Sequence, residues 1–330
     1  MKKIIFLMIL GSFLLVGCGK HVEKDLLKQL TNKMEDSSGY HLSGELSVEN
    51  NDENYQYLVD VCYQKKDLYK VTLTNKSNDH TQIILKNKDG VYVLTPSLNK
   101  SFKFQSDWPY NNSQIYLLNA LIRDIEEDDQ REFIEKNNTY IYKTKVHYPN
   151  NSKLVEQKIV INDKYQVTSA SVYNNDGVEV MKMVFDTITF SPNFSEDEFV
   201  LDSLIEQDVE EEVNQTASLE DIIYPLFLPD GTKLVREEKV DKENGERVIM
   251  NYDGEKSFLL VEETADVFRE FTVIPTSGEP YLLMDTLGVM TDNSLSWTSG
   301  GVEFYLVSDV MSQDEMIEVA QSIGGIVSMK

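Results

Sequence analysis

The side chains that could act as nucleophiles are few and widely separated. Ser97 is followed three residues later by Lys100, a spacing in which a lysine can activate a serine that opens a helix. Here the pair follows Thr95-Pro96 and leads into the strand-like Phe102-Lys103-Phe104, and no K-T-G sequence follows it. This context disfavours catalysis by Ser97, because the pattern belongs to a helix and not to a strand.

The histidines and the internal cysteine offer no better-defined centre. Cys62 lies in a run of alternating polar and apolar residues, where a buried, inert thiol is the expected state. The chain contains neither H-E-x-x-H nor C-x-x-C. No metal-ligand spacing links the four histidines, His21, His41, His80 and His147. We therefore predict no catalytic residue, no metal site and no cofactor; a cell-envelope hydrolase using Ser97 or Cys62 is the third alternative for the function.

The chemistry that the sequence supports lies at its start. A basic head, Met1-Lys2-Lys3, precedes an apolar stretch over residues 4–16, and a small residue then precedes Cys18. This layout is typical of an export signal. The alternative is an uncleaved membrane anchor, but an apolar helix of this length spans about 20 Å, against a hydrocarbon core of about 30 Å. We predict a signal peptide over residues 1–17, cleaved between Gly17 and Cys18.

The four residues Leu15-Val16-Gly17-Cys18 resemble the lipobox of bacterial lipoproteins. The resemblance implies that the sulfur of Cys18 carries a diacylglycerol and that the new N-terminus is acylated, with palmitate-like chains. Each buried CH2 group contributes about 0.8 kcal/mol, so two or more chains suffice for stable anchoring. We expect residues 18–21 to be a lipidated tether that holds the protein on the extracytoplasmic face of the cell membrane.

The charge of the chain limits its partners. The net charge is −25, and removal of Lys2 and Lys3 with the signal peptide makes it −27. Such a chain is repelled by nucleic acid, so we exclude nucleic-acid binding. The acidity favours a basic protein partner, or is simply a solvated surface. With Cys18 lipidated, Cys62 has no intramolecular partner, and packed cores must stabilise the fold.

The hydrophobic periodicity predicts a large sheet with one inserted helix. Residues 22–36 have helical spacing, and from residue 40 to residue 190 the period changes to two. Short links between successive runs require antiparallel neighbours, so the runs form one meandering sheet. The exception is residues 112–133, whose apolar stripe predicts a helix that packs on the concave face of the sheet.

The length of the chain predicts two domains. The segment 206–217 is acidic and poor in core residues, and we interpret it as the linker. Residues 218–330 follow as a small domain of short strands and a final helix. That helix begins with a capping box, Ser312 and Glu315, and we expect it to end at Gly324.

Parts of the predicted sheet are similar to a known family. Asp89-Gly90-Val91-Tyr92-Val93-Leu94-Thr95-Pro96, with Lys100, resembles a hairpin of the lipoprotein carriers LolA and LolB and of the N-terminal domain of RseB. The stretch 185–199 is similar to the close of that domain in sporulation and germination lipoproteins of the GerS and YdcC type. The C-terminal stretch, from Tyr224-Pro225 to the last helix, resembles a small domain of spore-former envelope proteins.

The resemblance implies a mainly β, α+β fold. Residues 22–205 are expected to form a curved antiparallel half-barrel covered by helices, and residues 218–330 a small antiparallel α+β domain. In the carriers the hollow accepts acyl chains, whereas the GerS type is implied to bind and activate a cell-wall amidase of the spore cortex. We therefore expect an anchored, non-catalytic binding or activator protein of sporulation or germination. The alternative is an envelope sensor with a lipid-like ligand, resembling RseB and LolA.

The aromatic residues before the inserted helix are the predicted partner surface. Trp108-Pro109-Tyr110 lies on a loop beside the concave sheet, where it can line a hydrophobic mouth or form an interface hot spot. With Tyr92 and Ile115 it forms the candidate surface. The alternative is that these residues cap the edge of the core.

Overall fold

The computed structural model describes residues 18–50, 53–207, 222–242 and 245–327. The predicted signal peptide, residues 1–17, and most of the predicted linker lie outside this part of the chain. Within it, no helix combines the length and the apolar character needed to span a membrane.

The first part of the chain forms three helices and eleven strands among the described residues. Helix α1 is Cys18–Asp36, α2 is Leu118–Glu127 and α3 is Leu201–Gln207, and a 3-10 turn covers Pro96–Leu98. The strands are β1 Gly39–Asn50, β2 Glu53–Gln64, β3 Leu68–Asn75, β4 Thr81–Asn87, β5 Gly90–Thr95, β6 Lys100–Phe104, β7 Glu132–Lys136, β8 Thr139–Lys145, β9 Leu154–Ile161, β10 Val167–Asn174 and β11 Glu179–Phe190.

The rest of the chain continues with strands and one long helix. The strands are β12 Lys233–Lys242, β13 Gly245–Asp253, β14 Phe258–Thr264, β15 Thr272–Thr276, β16 Glu279–Leu282, β17 Leu287–Met290, β18 Ser294–Ser299 and β19 Val302–Val307. Helix α4 is Gln313–Val327.

The first sheet has twelve strands in the order β15-β6-β5-β4-β3-β2-β1-β11-β10-β9-β8-β7. All of its neighbouring strands are antiparallel except β15 and β6, which are parallel. The sheet has two free edges, so it does not close into a barrel. The predicted meander and the predicted mainly β fold class are confirmed.

The sheet curls around helix α2. Tyr40 of β1 donates a hydrogen bond to the Asn119 side chain at 2.8 Å, and that side chain donates one to Tyr69 of β3. From the other half of the strand order, on the same concave face, Gln157 of β9 donates a hydrogen bond to Asp124 of α2 at 2.7 Å. Because β3 and β9 are five positions apart in the sheet, both reach one short helix only if the sheet is strongly curved. The expectation that the inserted helix packs on the concave face is confirmed.

The curvature has a local cause where β1 meets β11. Their register shifts between Ser43 and Gly44, which marks a β-bulge. A Cβ atom at Gly44 would lie 2.1 Å from the Val184 carbonyl oxygen, so only glycine allows this close approach. Helix α1 covers the hollow from the same side as α2, with Leu26 and Leu30 in the main core.

The second sheet has seven strands in the order β12-β13-β14-β19-β18-β17-β16, and α4 packs on it. The capping box is confirmed: the Ser312 N–H donates to Glu315 Oε2 at 2.8 Å, and the Glu315 N–H donates to Ser312 Oγ at 3.3 Å. The predicted helix end at Gly324 is wrong, because α4 runs to Val327.

The inserted segment is less helical than its sequence predicts. The helix covers Leu118–Glu127 only, and part of the predicted range forms the edge strand β7, Glu132–Lys136. Asp128 and Asp129 follow the helix directly, and negative charge at a helix C-terminus opposes the macrodipole, which favours a helix end at this point. Two further strands, β15 and β16, have no counterpart in the sequence prediction.

Candidate functional site

The C-terminal part of the chain is joined to the first sheet by backbone pairing. Strand β15 pairs in parallel with β6 and forms one edge of the first sheet. The chain therefore returns to the first sheet after it has formed β12–β14 of the second. The Thr272 N–H donates to the Asn99 carbonyl at 2.8 Å, and the Asn99 side chain donates to the Phe268 carbonyl at 2.9 Å. The two sheets therefore share a continuous contact.

A segment of the C-terminal part packs into the hollow. We call residues 283–289 the plug, because Met284, Leu287 and Val289 belong to the same buried core as the concave face. Tyr57 of β2 donates a hydrogen bond to the Met284 carbonyl. A hollow occupied in this way leaves less space for a ligand than an empty half-barrel would.

Gln82 of β4 holds the plug by its side-chain amide. Its Oε1 accepts the Leu287 N–H at 2.6 Å and the Thr286 hydroxyl at 3.2 Å, and its Nε2 donates to the Leu287 carbonyl at 3.3 Å. The amide is buried, so these contacts replace the water that it loses on folding. The plug is thus specified by hydrogen bonds as well as by apolar packing.

A buried ion pair links the two sheets beside the plug. Lys100 Nζ of β6 lies 2.5 Å from Glu303 Oε1 of β19, and each side chain is 6% exposed. Around the opposite rim, Ser152 donates its N–H to Asp314 at 2.9 Å, and Asn151 donates to the Tyr281 hydroxyl at 3.0 Å. Contacts on both sides of the hollow hold the two sheets together.

A cavity of about 770 Å³ remains between the two sheets. Its apolar wall includes Ile115, Tyr116 and Leu154, and its polar wall includes Asn112 and Gln114 from the segment before α2. Tyr281, Ile317 and Gln321 line it from the C-terminal part of the chain. The volume lies within the range of about 300–1,000 Å³ that small-molecule sites occupy. This cavity between the two sheets is the candidate site for a small ligand.

The four residues of the predicted partner surface do not form one surface. Trp108 is 1% exposed and Ile115 is also buried, and both border the cavity. Tyr92 is buried on the opposite, convex face, under the segment that contains α3. Only Tyr110, at 53%, is exposed. As a surface patch the prediction is therefore wrong for three of its four residues.

The burial of Trp108 has a clear physical reason. Its ring packs edge-on against Tyr69, with 5.6 Å between the ring centroids, and Lys86 Nζ donates to its carbonyl at 2.7 Å. Tyr110 instead points outward and donates its hydroxyl to Asp67 at 2.5 Å. The loop thus divides its aromatic residues between the core and the solvent, which the sequence did not indicate.

Ser97 is not placed as an activated nucleophile. It is exposed on the 3-10 turn, and its Oγ lies 3.5 Å from His80 Nδ1, longer than the roughly 2.6–3.2 Å of an activating hydrogen bond. Nε2 of His80 is buried without a partner among the described residues, so no third group orients the ring. Lys100, the lysine of the sequence motif, is committed to Glu303.

Cys62 lies on the convex face among charged side chains. Its Sγ is 3.5 Å from Glu198 Oε1, and Glu198 also pairs with Lys70. Burial raises the pKa of the Cys62 thiol to about 12, against the smaller opposite effect of the Lys70 ammonium. A thiol with such a pKa is a poor nucleophile near neutral pH.

The strand register brings a second histidine contact that sequence spacing could not reveal. His41 of β1 is directly opposite Cys62 of β2, and His41 Nε2 lies 2.7 Å from Asp60 Oδ2. The ligand-type atoms of His41, Asp60 and Cys62 lie within 4.8 Å of one another. We call these three residues with Glu198 the convex-face cluster.

The predicted lipidation site falls at the edge of the described chain. Gly17 lies outside it, and Cys18 is the first residue of α1. Cleavage and lipidation at this position therefore stay predictions.

No protein-family model matches the chain. Among curated proteins, "Sporulation protein YdcC" of Bacillus subtilis is 36% identical over 330 residues, covering 96% of this chain and 95% of its own. Among solved structures, the MucA/MucB complex of Pseudomonas aeruginosa has 12% identity and a TM-score of 0.33, with 90% of this chain and 97% of that chain covered.

The CwlD amidase of Clostridioides difficile in complex with the GerS lipoprotein has 14% identity and a TM-score of 0.21, over 52% of this chain and 94% of that chain. At such scores the structural likenesses carry no argument about function. The identity to YdcC, in contrast, runs over nearly the whole length of both proteins, and on that ground this chain belongs to the family of the sporulation protein YdcC.

Proposed function

We propose that this protein is a membrane-anchored, extracytoplasmic binding protein of sporulation or germination, and that it acts by contacting an envelope protein and not by catalysis. Membership of the YdcC family supports the sporulation context. The observation that carries the binding role is the partly occupied hollow: α2 and the plug take up part of the space in which a carrier would hold its cargo. The outer surface is then left for a partner.

We place the partner contact on the segment that precedes β12. Residues 224–227 present three exposed apolar side chains, Tyr224, Leu226 and Phe227, and Leu226 is 77% exposed. The Tyr224 hydroxyl donates to Glu237 of β12 at 2.7 Å, so this patch adjoins the exposed edge strand of the second sheet. Clustered exposed apolar residues beside a polar strand are typical of protein interfaces.

The first candidate for the partner is a cell-wall amidase, as the resemblance to lipoproteins of the GerS type implies. The experiment is to isolate the tagged protein from membranes of sporulating cells and to identify co-purifying proteins by mass spectrometry. We then measure binding of the purified amidase to the mature chain. We expect Leu226→Ser with Phe227→Ser to weaken binding at least ten-fold.

Val310→Ser is the matched control, because Val310 is an exposed apolar residue remote in sequence from the patch. It should bind like the unmodified protein. Equal binding by the double variant and the control would remove the patch from the proposal, and the absence of any stoichiometric envelope protein would overturn the partner role itself.

The anchor is tested separately. Cys18→Ala removes the predicted lipid attachment, so the protein should move from the membrane fraction to the soluble fraction. Metabolic labelling with a palmitate analogue should mark the unmodified protein and not the variant. Unchanged membrane association of an unlabelled protein would contradict the lipoprotein assignment without affecting the partner experiment.

The cavity between the two sheets favours a second candidate function, a sensor for a lipid-like ligand. Its volume suits part of an acyl chain, and Trp108 borders it. The chain has two tryptophans, so Trp297→Phe leaves Trp108 as the sole reporter. A saturable change of its fluorescence on titration with a short-chain phospholipid, together with lipid in the extract of the purified protein, would support this function. The absence of both signals would reject it.

A further inference from the structure

We propose that the convex-face cluster is a binding site for a divalent transition-metal ion of the zinc class, with ligand atoms from His41, Asp60 and Cys62 and with Glu198, beside Cys62, as the fourth ligand once the ion is bound. This inference is independent of the proposed function, since the cluster lies on the face opposite the hollow. The cluster needs no sequence motif, because three of its residues are brought together by strand pairing and the fourth by a covering loop.

The sheet geometry fixes three of the ligands. His41 and Cys62 are directly opposite in the antiparallel pair β1–β2, and Asp60 precedes Cys62 by two residues. Alternate residues of a strand face the same side of the sheet, so all three side chains project from the convex face. Glu198 approaches from the segment before α3, which covers this face beside β3 and β4.

The distances around Cys62 and Asp60 are close to those around a tetrahedral ion. Zinc bonds of about 2.0–2.3 Å to nitrogen, oxygen and sulfur place neighbouring ligand atoms roughly 3.3–3.7 Å apart. Cys62 Sγ lies 3.5 Å from Glu198 Oε1 and 3.9 Å from Asp60 Oδ1. The hydrogen-bonded contact of His41 with Asp60, at 2.7 Å, is shorter and would open by less than 1 Å.

Burial and ligand type favour the same ion. Cys62 is 4% exposed, whereas the His41 and Asp60 side chains are each 42% exposed, so the site has a dry floor and an open entrance. A set of one thiolate, one imidazole and two carboxylates suits zinc and its neighbours better than calcium or magnesium, which prefer oxygen alone. Binding releases the thiol proton to solvent.

Lys70 is the residue that competes with the ion. It is directly opposite Cys62 in the β2–β3 pair, and its ammonium contacts Glu198. An incoming cation must displace this ammonium, which lowers the affinity and makes binding reversible. The structure therefore assigns opposite effects to two neighbouring substitutions: loss of Cys62 weakens the site, and loss of the Lys70 charge strengthens it.

The experiment uses the mature chain with Cys18→Ala, which leaves Cys62 as the sole cysteine. Titration with cobalt(II) chloride should produce a thiolate-to-cobalt charge-transfer band that saturates at one equivalent and is abolished by zinc chloride. Cys62→Ser should remove the band, His41→Ala should weaken binding at least ten-fold, and Lys70→Met should tighten it at least three-fold. His147→Ala, an exposed histidine outside the cluster, should change nothing.

Misfolding can explain a loss of metal binding, but it cannot explain the tighter binding that we expect for Lys70→Met. Far-ultraviolet circular dichroism checks that each variant is folded. A folded parent and a folded Lys70→Met variant that both give no charge-transfer band would overturn the proposal. So would a zinc affinity that is the same in the parent and in Cys62→Ser.

Discussion

Lys100 and Glu303 form a charge pair across 203 residues of sequence, with 2.5 Å between Nζ and Oε1 and almost no contact with solvent. Lys100 belongs to β6, next to the edge strand β15 of the first sheet, and Glu303 belongs to the middle strand of the second sheet. Because each buried charge needs the other for neutralisation, the two sheets must keep the relative position that brings Lys100 and Glu303 together.

Loss of one partner of this pair should be costly. Lys100→Met leaves the Glu303 carboxylate buried without its cation, and we expect unfolding in urea to require about 3–5 kcal/mol less. Combining it with Glu303→Leu should recover most of that loss, because two apolar side chains need no charge compensation.

Lys76→Met is the matched control, since its pair with Glu45 is exposed at the surface. It should change the stability by less than about 1 kcal/mol. A Lys100→Met variant as stable as this control would show that the buried pair does not fix the two sheets.

The Gln82 amide makes three hydrogen bonds to the plug. Gln82→Leu keeps a similar side-chain volume but leaves the Leu287 N–H buried without its acceptor and the Leu287 carbonyl with only the Thr286 hydroxyl, at 3.5 Å. A buried N–H without a partner costs about 1–3 kcal/mol. We expect a lower stability and faster hydrogen exchange at the Leu287 amide. Gln56→Leu, at an exposed position of β2, is the control. Unchanged protection of Leu287 in Gln82→Leu would contradict the role given to Gln82.

A buried glutamate should make the stability depend on pH. Burial raises the pKa of Glu262 to about 7 from its ordinary 4.5, and its Oε2 accepts the Ile223 N–H at 3.0 Å. Between these values the folded protein holds a proton that the unfolded chain has released, so this group's contribution falls as pH rises through the window. The loss is about 3 kcal/mol when complete.

Glu262→Gln removes this titration. Compared with the unmodified protein, the variant should gain nothing at pH 4 and about 1–3 kcal/mol at pH 8, measured by urea unfolding at each pH. Glu196→Gln, an exposed glutamate, should show no such pH-dependent difference. A constant offset for Glu262→Gln at both pH values would indicate altered packing instead of proton linkage.

A non-catalytic role predicts tolerance of substitution at the side-chain contact between Ser97 and His80. Ser97→Ala and His80→Ala should leave spore formation and germination unchanged, whereas Leu226→Ser with Phe227→Ser should impair them. The assay is the yield of heat-resistant, germinating spores from cells that carry each variant. Loss of germination in Ser97→Ala at normal protein levels would instead favour the hydrolase alternative.

The parts of the fold that follow local periodicity were predictable. The alternation in β1–β5 and the capping pair of α4, Ser312 and Glu315, are written in adjacent residues, and the structure has both. Strand β15 could not be found in this way, because its short run has no partner nearby in sequence and pairs in parallel with β6.

The candidate sites depend on contacts that sequence spacing does not carry. The approach of His41 to Cys62 follows from strand register, and the burial of Trp108 follows from the curl of the sheet over Tyr69. Gln82 looks like an ordinary strand residue until the plug reaches it. Periodicity along the chain predicts which face of a strand or helix is buried. The contacts of these single side chains form between elements that are distant in sequence, so periodicity does not predict them.

The return of β15 and the plug to the first sheet determines when this sheet can be completed during synthesis of the chain. The ribosome delivers the half-barrel strands first, yet their edge and concave lining are completed only after residues 272–289 have followed. A chain interrupted after residue 205 would leave the apolar concave face without the plug and strand β6 without its neighbour β15, and both features promote aggregation. The native state therefore forms only after nearly the entire polypeptide has been made, and a fragment that ends at residue 205 is a poor substitute for the whole chain.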